Sequence, residues 1–236
     1  AQQSALMAHR VRALLIKQRG MAINALRGHL AELGIVSAKG REGESTLIAL
    51  VEAEPEESSL GEVARGALLP LVRQLYALQE QITALDFRIL EWHRNNELSQ
   101  LLESIPGIGV LNATAFAATL GDGSAFQSGR QLAAWLGLVP RQNSTGGKTR
   151  LGRITKQGDR LLVLGATSVL KPYAGKGAKR GAMISGGAYP WAGALLARKS
   201  YRLTSVALAN KMARIIWAVL TSGEPYNASY MKAASI

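Results

Sequence analysis

The chain has 236 residues, 47% of them hydrophobic, and sets 28 Lys+Arg against 16 Asp+Glu for a formal charge of +12. That apolar content excludes a compositionally disordered chain and suffices for one large or two small domains. The lack of cysteine excludes disulfide frameworks, zinc–thiolate sites and thiol nucleophiles. The positive excess favours a polyanionic partner, nucleic acid ahead of an anionic membrane.

The opening AQQSALMAHRVR has no apolar signal core and starts inside a helical pattern, so the chain is expected to be the C-terminal portion of something longer. No uninterrupted apolar run approaches the ~20 residues that span a bilayer, and the even scatter of cations over 3–34, with Gly20 and Gly28, argues against a membrane-surface helix, so no membrane partner is expected. Residues 3–34 place Leu6, Val11, Leu14, Leu15, Leu26, Leu30 and Leu33 among Arg and Lys, which predicts a basic amphipathic helix ending at Gly34 and defines a segment 1–36. Residues 37–62 hold Gly40, Gly43, Pro55 and most of the glutamates, and read as an acidic linker with a short helix near 45–53.

Over 63–98 the pattern is most regular. Leu68, Leu71, Leu75, Leu78, Ile82, Leu85, Ile89 and Trp92 alternate spacings of 3 and 4, the a/d seam of a coiled coil. The seam predicts pairing with another copy; the alternative is a helix packed on its own chain. Pro70 suits the first turn of that helix and would kink it elsewhere. From 99 to 236 the sequence reads as a compact helical domain, with helices near 111–120, 128–137, 157–171, 190–197 and 203–221 and a Gly-rich basic loop at 171–188. No stretch sustains a period of two, so the fold class is all-α: long helices with a coiled coil, then a compact helical domain.

Two segments carry chemistry. The first, LLESIPGIGVLNATAFAATLG, places Pro106-Gly107-Ile108-Gly109 between two helices, the pattern of a helix-hairpin-helix. Glycines let backbone approach a phosphate closely. Unpaired N–H groups at the next helix start, with the helix dipole, favour the anion. Gly107, Ile108 and Gly109 are therefore candidate DNA-phosphate contacts, with Ile108 also anchoring the turn; an ordinary turn between packed helices is the alternative.

The second is PRQNSTGGKTRLG at 140–152. Between Arg141 and Arg180 there are ten Lys/Arg and one acid, Asp159. Gly147-Lys148-Thr149 ends like a nucleotide-binding loop, yet Gln142 stands where that motif requires glycine. There is no G-x-S-x-G, and His9, His29 and His93 receive no catalytic role. What remains is a hydroxyl among cations: Ser144 or Thr145 as nucleophile toward a phosphate, with Lys148, Arg150, Arg153 and Lys156 binding and neutralising it. The less hindered Ser144 is preferred and Thr145 is second. A loop that merely clamps phosphate stays open as the alternative.

IPGIG, GSAFQSGRQLAAWLGLVPRQNSTGGKTRLGRITKQGDRLL, VALANKMARIIWAVL and the closing SGEPY together resemble the insertion-sequence transposases related to the Piv/MooV DNA invertases, the IS one-ten and eleven-eleven group of bridge-RNA-guided recombinases. The resemblance covers essentially the whole chain. It implies a ribonuclease-H-like domain with a DEDD tetrad binding Mg2+, lying before this chain, then a coiled coil and a helical transposase domain. It also implies a covalent serine–DNA intermediate, with serine and acidic site supplied by different protomers of a dimer of dimers. Donor and target DNA and a structured bridge RNA are the implied partners, and the bacterial cytoplasm, at the nucleoid, the implied location. The family serine falls at Ser144. Without the DEDD domain this chain alone is expected to be inactive and to bind no metal. Leu161-Leu162-Val163-Leu164 follows Arg160 where relatives often carry arginines, a departure from the pattern. The competing reading is a noncatalytic nucleic-acid-binding and oligomerisation module.

Overall fold

A computed structural model describes residues 2–54, 60–154 and 189–227. The chain divides into two compact units, residues 6–89 and the remainder from Leu90 onward joined by the first few residues of the chain.

The unit of residues 6–89 is built from α1 (Gln2–Glu32), α2 (Arg41–Glu52) and α3 (Glu62–Arg94). Ala22, Ile23, Leu26 and Leu30 recur at helical spacing on α1, and they share a core with Leu47 and Val51 of α2, Leu60, and Leu68, Val72 and Leu75 of α3. At the end of α1 the Ile35 N–H bonds the Leu30 carbonyl and the Gly34 N–H bonds that of Ala31, the paired bonds of a Schellman stop. Arg12 donates to both carboxylate oxygens of Asp86, so α1 and α3 run antiparallel, with the Leu26–Leu30 region of one beside the Leu68–Val72 region of the other. Arg19 similarly donates to Glu44. At Gly43 a Cβ would stand 1.8 Å from the Ala38 carbonyl oxygen, so only glycine fits where α2 passes its incoming loop.

The 3/4 seam of α3 is covered within the chain. Leu68, Leu75, Leu78, Ile82 and Ile89 are buried, while Leu71, Leu85 and Trp92 are half-buried. Over Leu68–Leu75 the residues that share this core come from α1 and α2 of the same chain. Pro70 does not sit in a first turn. It lies inside α3, where its missing N–H leaves the Gly66 carbonyl without the usual helical donor.

In the other unit, α4 (Glu97–Glu103), α5 (Val110–Leu120), α6 (Gly129–Trp135), α7 (Pro190–Leu196) and α8 (Tyr201–Ser222) surround one apolar core. Helix α8 is its axis: Leu208, Ala209, Met212, Ala213 and Ile216 are fully enclosed. By length and composition α8 could cross a membrane, with mean hydropathy 1.3, but 56% of that stretch is buried inside the protein and it carries Lys211 and Arg214. The apolar character of α8 is that of a core helix. α6 crosses α8 so closely that a Cβ on Gly129 would lie 2.8 Å from the Arg214 Cα.

One departure from the all-α expectation is a hairpin of two short antiparallel strands, β1 (Pro140–Gln142) and β2 (Leu151–Ile154), with Pro140 opposite Ile154. Strands of three and four residues are too short to show a period of two, so hydropathy gave no sign of them. The expected helix at 157–171 and loop at 171–188 lie outside the described residues.

Candidate functional site

The α4–α5 turn is built on its buried isoleucines. Ile105 and Ile108 insert into the core, and the Ile108 N–H bonds the Ile105 carbonyl at 2.9 Å. Gly107, with φ of +90°, takes the left-handed conformation that reverses the chain between them. Gly109 then caps α5 without a side-chain hydrogen bond, and the space where its Cβ would stand is open. The start of α5 therefore presents backbone to the outside.

Two distant tyrosines hold this turn. The Tyr189 hydroxyl donates to the Pro106 carbonyl at 3.0 Å, and the Tyr226 N–H donates to Ser104 Oγ at 2.9 Å. Burial, and then the neighbouring Tyr226, push the Tyr189 hydroxyl well above the ordinary phenol range, so it stays protonated as a donor. The closing SGEPY thus contributes Tyr226 as a brace behind the turn.

Ser144 and Thr145 lie near the tip of the β1–β2 hairpin. Thr145 and Lys148 form a bridge pair around Gly146 and Gly147, both at positive φ (58° and 74°), the two-residue turn that matches strand twist. Asn143 donates its N–H to the Arg150 carbonyl at 2.8 Å, and the Arg150 N–H is donated to Ser144 Oγ at 3.1 Å. Ser144 is half-buried with its oxygen held by backbone, whereas Thr145 is exposed. The basic segment 140–152, read from sequence as a loop, therefore forms a two-stranded ribbon carrying Arg141, Lys148 and Arg150, with no acidic residue between 140 and 154. The Arg153 side chain and Lys156 lie outside the described residues. The candidate residues thus form two groupings, Gly107, Ile108 and Gly109 at the turn and Ser144, Thr145, Lys148 and Arg150 on the hairpin.

A serine–histidine–carboxylate line does occur elsewhere. His93 Nδ1 lies 2.7 Å from Ser99 Oγ and its Nε2 lies 2.9 Å from Glu103 Oε2. Ser99 is fully buried in the first turn of α4, where its N–H is bonded by the Asn96 side chain, and nothing can reach its hydroxyl. The line joins the end of α3 to α4 and is structural. Its spacing of 93, 99 and 103 was visible in the sequence, but reading it required knowing that the chain turns back at Asn95–Asn96.

Residues 99–176 match the model of the IS116/IS110/IS902 transposase family. The chain is 42% identical over 229 residues to the y4pF/y4sB protein of Sinorhizobium fredii, named as a transposase, covering 95% of this chain and 57% of the relative. It is 35% identical over 226 residues to the transposase for insertion sequence element IS1328 of Yersinia enterocolitica (96% and 65%). Against the transposase for element IS1111A of Coxiella burnetii it is 36% identical over 221 residues (92% and 58%). The chain spans between 57% and 65% of the length of these relatives.

Proposed function

The chain belongs to the IS116/IS110/IS902 transposase family, and on that premise we propose that it serves DNA strand cleavage and exchange in the transposition of an insertion sequence, with Ser144 as the nucleophile. The observation that carries this reading is the held hydroxyl: Ser144 Oγ accepts the Arg150 N–H on a hairpin whose charges are all positive. In the proposed step Oγ forms a bond to a DNA phosphorus. One phosphate ester bond to a deoxyribose oxygen of the DNA breaks, and that oxygen leaves with the proton the serine gives up. The Arg150 N–H orients Oγ and stabilises negative charge developing on it, while Lys148 and the arginines of the hairpin neutralise the nonbridging oxygens. The open N-terminus of α5 at Gly109 supplies backbone N–H groups to an adjacent phosphate, which positions the strand without reading bases.

The family resemblance implies Mg2+ held by a DEDD domain. Among the described residues no three His, Asp or Glu side chains are grouped to hold a metal, and no step is routed through that ion. The proposal includes that acidic domain, a structured guide RNA, and assembly as a dimer of dimers. That assembly is proposed through α3, whose Leu68–Leu75 end also packs on α1 and α2.

The test is covalent capture. With the acidic domain present, Ser144→Ala is expected to abolish protein–DNA adducts on a denaturing gel, and Thr145→Ala to retain them. Adducts at an undiminished level from Ser144→Ala would overturn the assignment and favour a noncatalytic module in which the Arg150–Ser144 bond only shapes the hairpin.

A further inference from the structure

A cleft of about 800 Å3 opens on α8 between the start of α6 and α7, within the usual size range of small-ligand sites. Its lining combines Arg130, Trp191, Asn210, Lys211, Arg214 and Trp217, and no acidic residue takes part. Among the described residues, none of its three cations is paired with a carboxylate. The two indoles are set differently. Trp217 Nε1 donates to the Phe126 carbonyl at 3.0 Å, which fixes that ring. Trp191 lies under Lys211, whose Nζ is 4.9 Å from the ring centroid, and Trp191 Nε1 is buried with no hydrogen-bond partner.

The cations of the cleft and the Trp191 N–H are thus donors, and a buried N–H left unmet, as at Trp191, is costly unless an acceptor arrives. Burial, and then the neighbouring Arg214, already disfavour the Lys211 charge, and an anion between the two cations would relieve their repulsion. Flat apolar ring surface beside clustered cations is the lining that single-stranded nucleic acid uses, a base on the aromatic face and its phosphate on the basic groups. Asn210, on the cleft wall, donates to the Leu138 carbonyl at 3.4 Å, two residues before β1. The cleft therefore adjoins the root of the hairpin that carries Ser144.

We propose that this cleft binds one unpaired nucleotide of a nucleic-acid strand, its base against Trp191 and its phosphate on Arg130, Lys211 and Arg214. This rests on the nucleic-acid reading above and adds to it a site for a nucleotide taken out of its stack. Holding such a nucleotide beside the hairpin root would fix the register of the strand as it passes toward Ser144.

The test uses the whole chain with end-labelled oligothymidylate, followed by anisotropy and tryptophan fluorescence. Oligothymidylate is expected to quench the fluorescence and an abasic strand of the same length to bind less tightly. Trp191→Ala should weaken oligothymidylate binding about fivefold or more while affecting the abasic strand little. Trp191→Phe, which keeps a stacking face, should restore most of the affinity. Arg214→Gln and Arg130→Gln should each lower the salt dependence of log K by about 0.7; the exposed Arg130 provides a variant whose folding is secure. Equal affinity for the abasic strand, or an oligoglutamate peptide displacing oligothymidylate more effectively than inorganic phosphate does, would overturn the proposal and make the cleft an acidic-peptide site. Adduct formation by Ser144 is read separately, so either reading can fail without the other.

Discussion

Replacing Gly129 by alanine tests the crossing on which both the cleft and the hairpin root depend. The added Cβ would meet the Arg214 Cα at 2.8 Å, its Cβ at 3.1 Å and its carbonyl oxygen at 3.1 Å. None of these is the free end of a side chain, so α6 and α8 must separate by several tenths of an ångström. Overpacking of this kind costs about 1–3 kcal/mol, and the helix preference of alanine returns at most about 1 kcal/mol. The net loss is about 1–2 kcal/mol. All four tryptophans, Trp92, Trp135, Trp191 and Trp217, lie in the unit that begins at Leu90, so intrinsic fluorescence in urea reports that unit. With a slope of about 2–3 kcal/mol per molar, the midpoint should fall by about 0.5 M. A midpoint unchanged or raised in Gly129→Ala would refute the close crossing.

Other substitutions separate the roles of neighbouring features. Gly28→Ala, at an exposed position on α1 with nothing within 4 Å of the new Cβ, should stabilise the unit of residues 6–89 by about 0.5–1 kcal/mol, measured by far-ultraviolet circular dichroism in urea. Tyr189→Phe removes the bond to Pro106 and should cost about 0.5–1.5 kcal/mol, with faster amide exchange at residues 107–110 as the site-specific readout. Because the folded state raises the Tyr189 pKa, its contribution is complete below the unfolded tyrosine value near 10 and is lost as pH rises beyond it. Tyr189→Phe should therefore flatten the alkaline limb of stability between about pH 10 and 12. An unchanged limb would show that Tyr189 is not buried as described.

Much of the helical frame was legible because its signals are local. α5 and α8 follow from apolar runs with glycine ends, and the turn at 106–109 follows from glycines flanking a buried isoleucine. The α3 seam shows where locality stops. Its spacing is real, but the identity of what covers it depended on α1 and α2, whose own apolar residues mix with lysine and arginine. Thr-Gly-Gly-Lys is a two-residue turn signal, but the strands either side of it hold only three and four residues and β1 is polar and exposed along its length, so hydropathy says nothing about them. The cleft could not have been read at all. Ser128–Arg130, Trp191 and residues 207–218 are separated by tens of residues, and only the α6–α8 crossing brings them together.

The brace behind the α4–α5 turn has a consequence for the order in which this protein can acquire its structure. The turn is closed by Tyr189 and Tyr226, which stand 83 and 122 residues beyond their partners. Its core is likewise completed only by α8. A chain emerging from the ribosome can pair α1, α2 and α3 as soon as residue 89 is free, whereas α4, α5 and α6 must wait for residues 189–226. During that interval the apolar faces of α5 and α6 are bare, which makes the middle of the chain the part most exposed to aggregation and to proteases. Loss of α8 to a premature stop would leave those faces permanently uncovered while the first unit still folded. Such a remnant would keep a folded first unit without the turn, the hairpin root or the cleft.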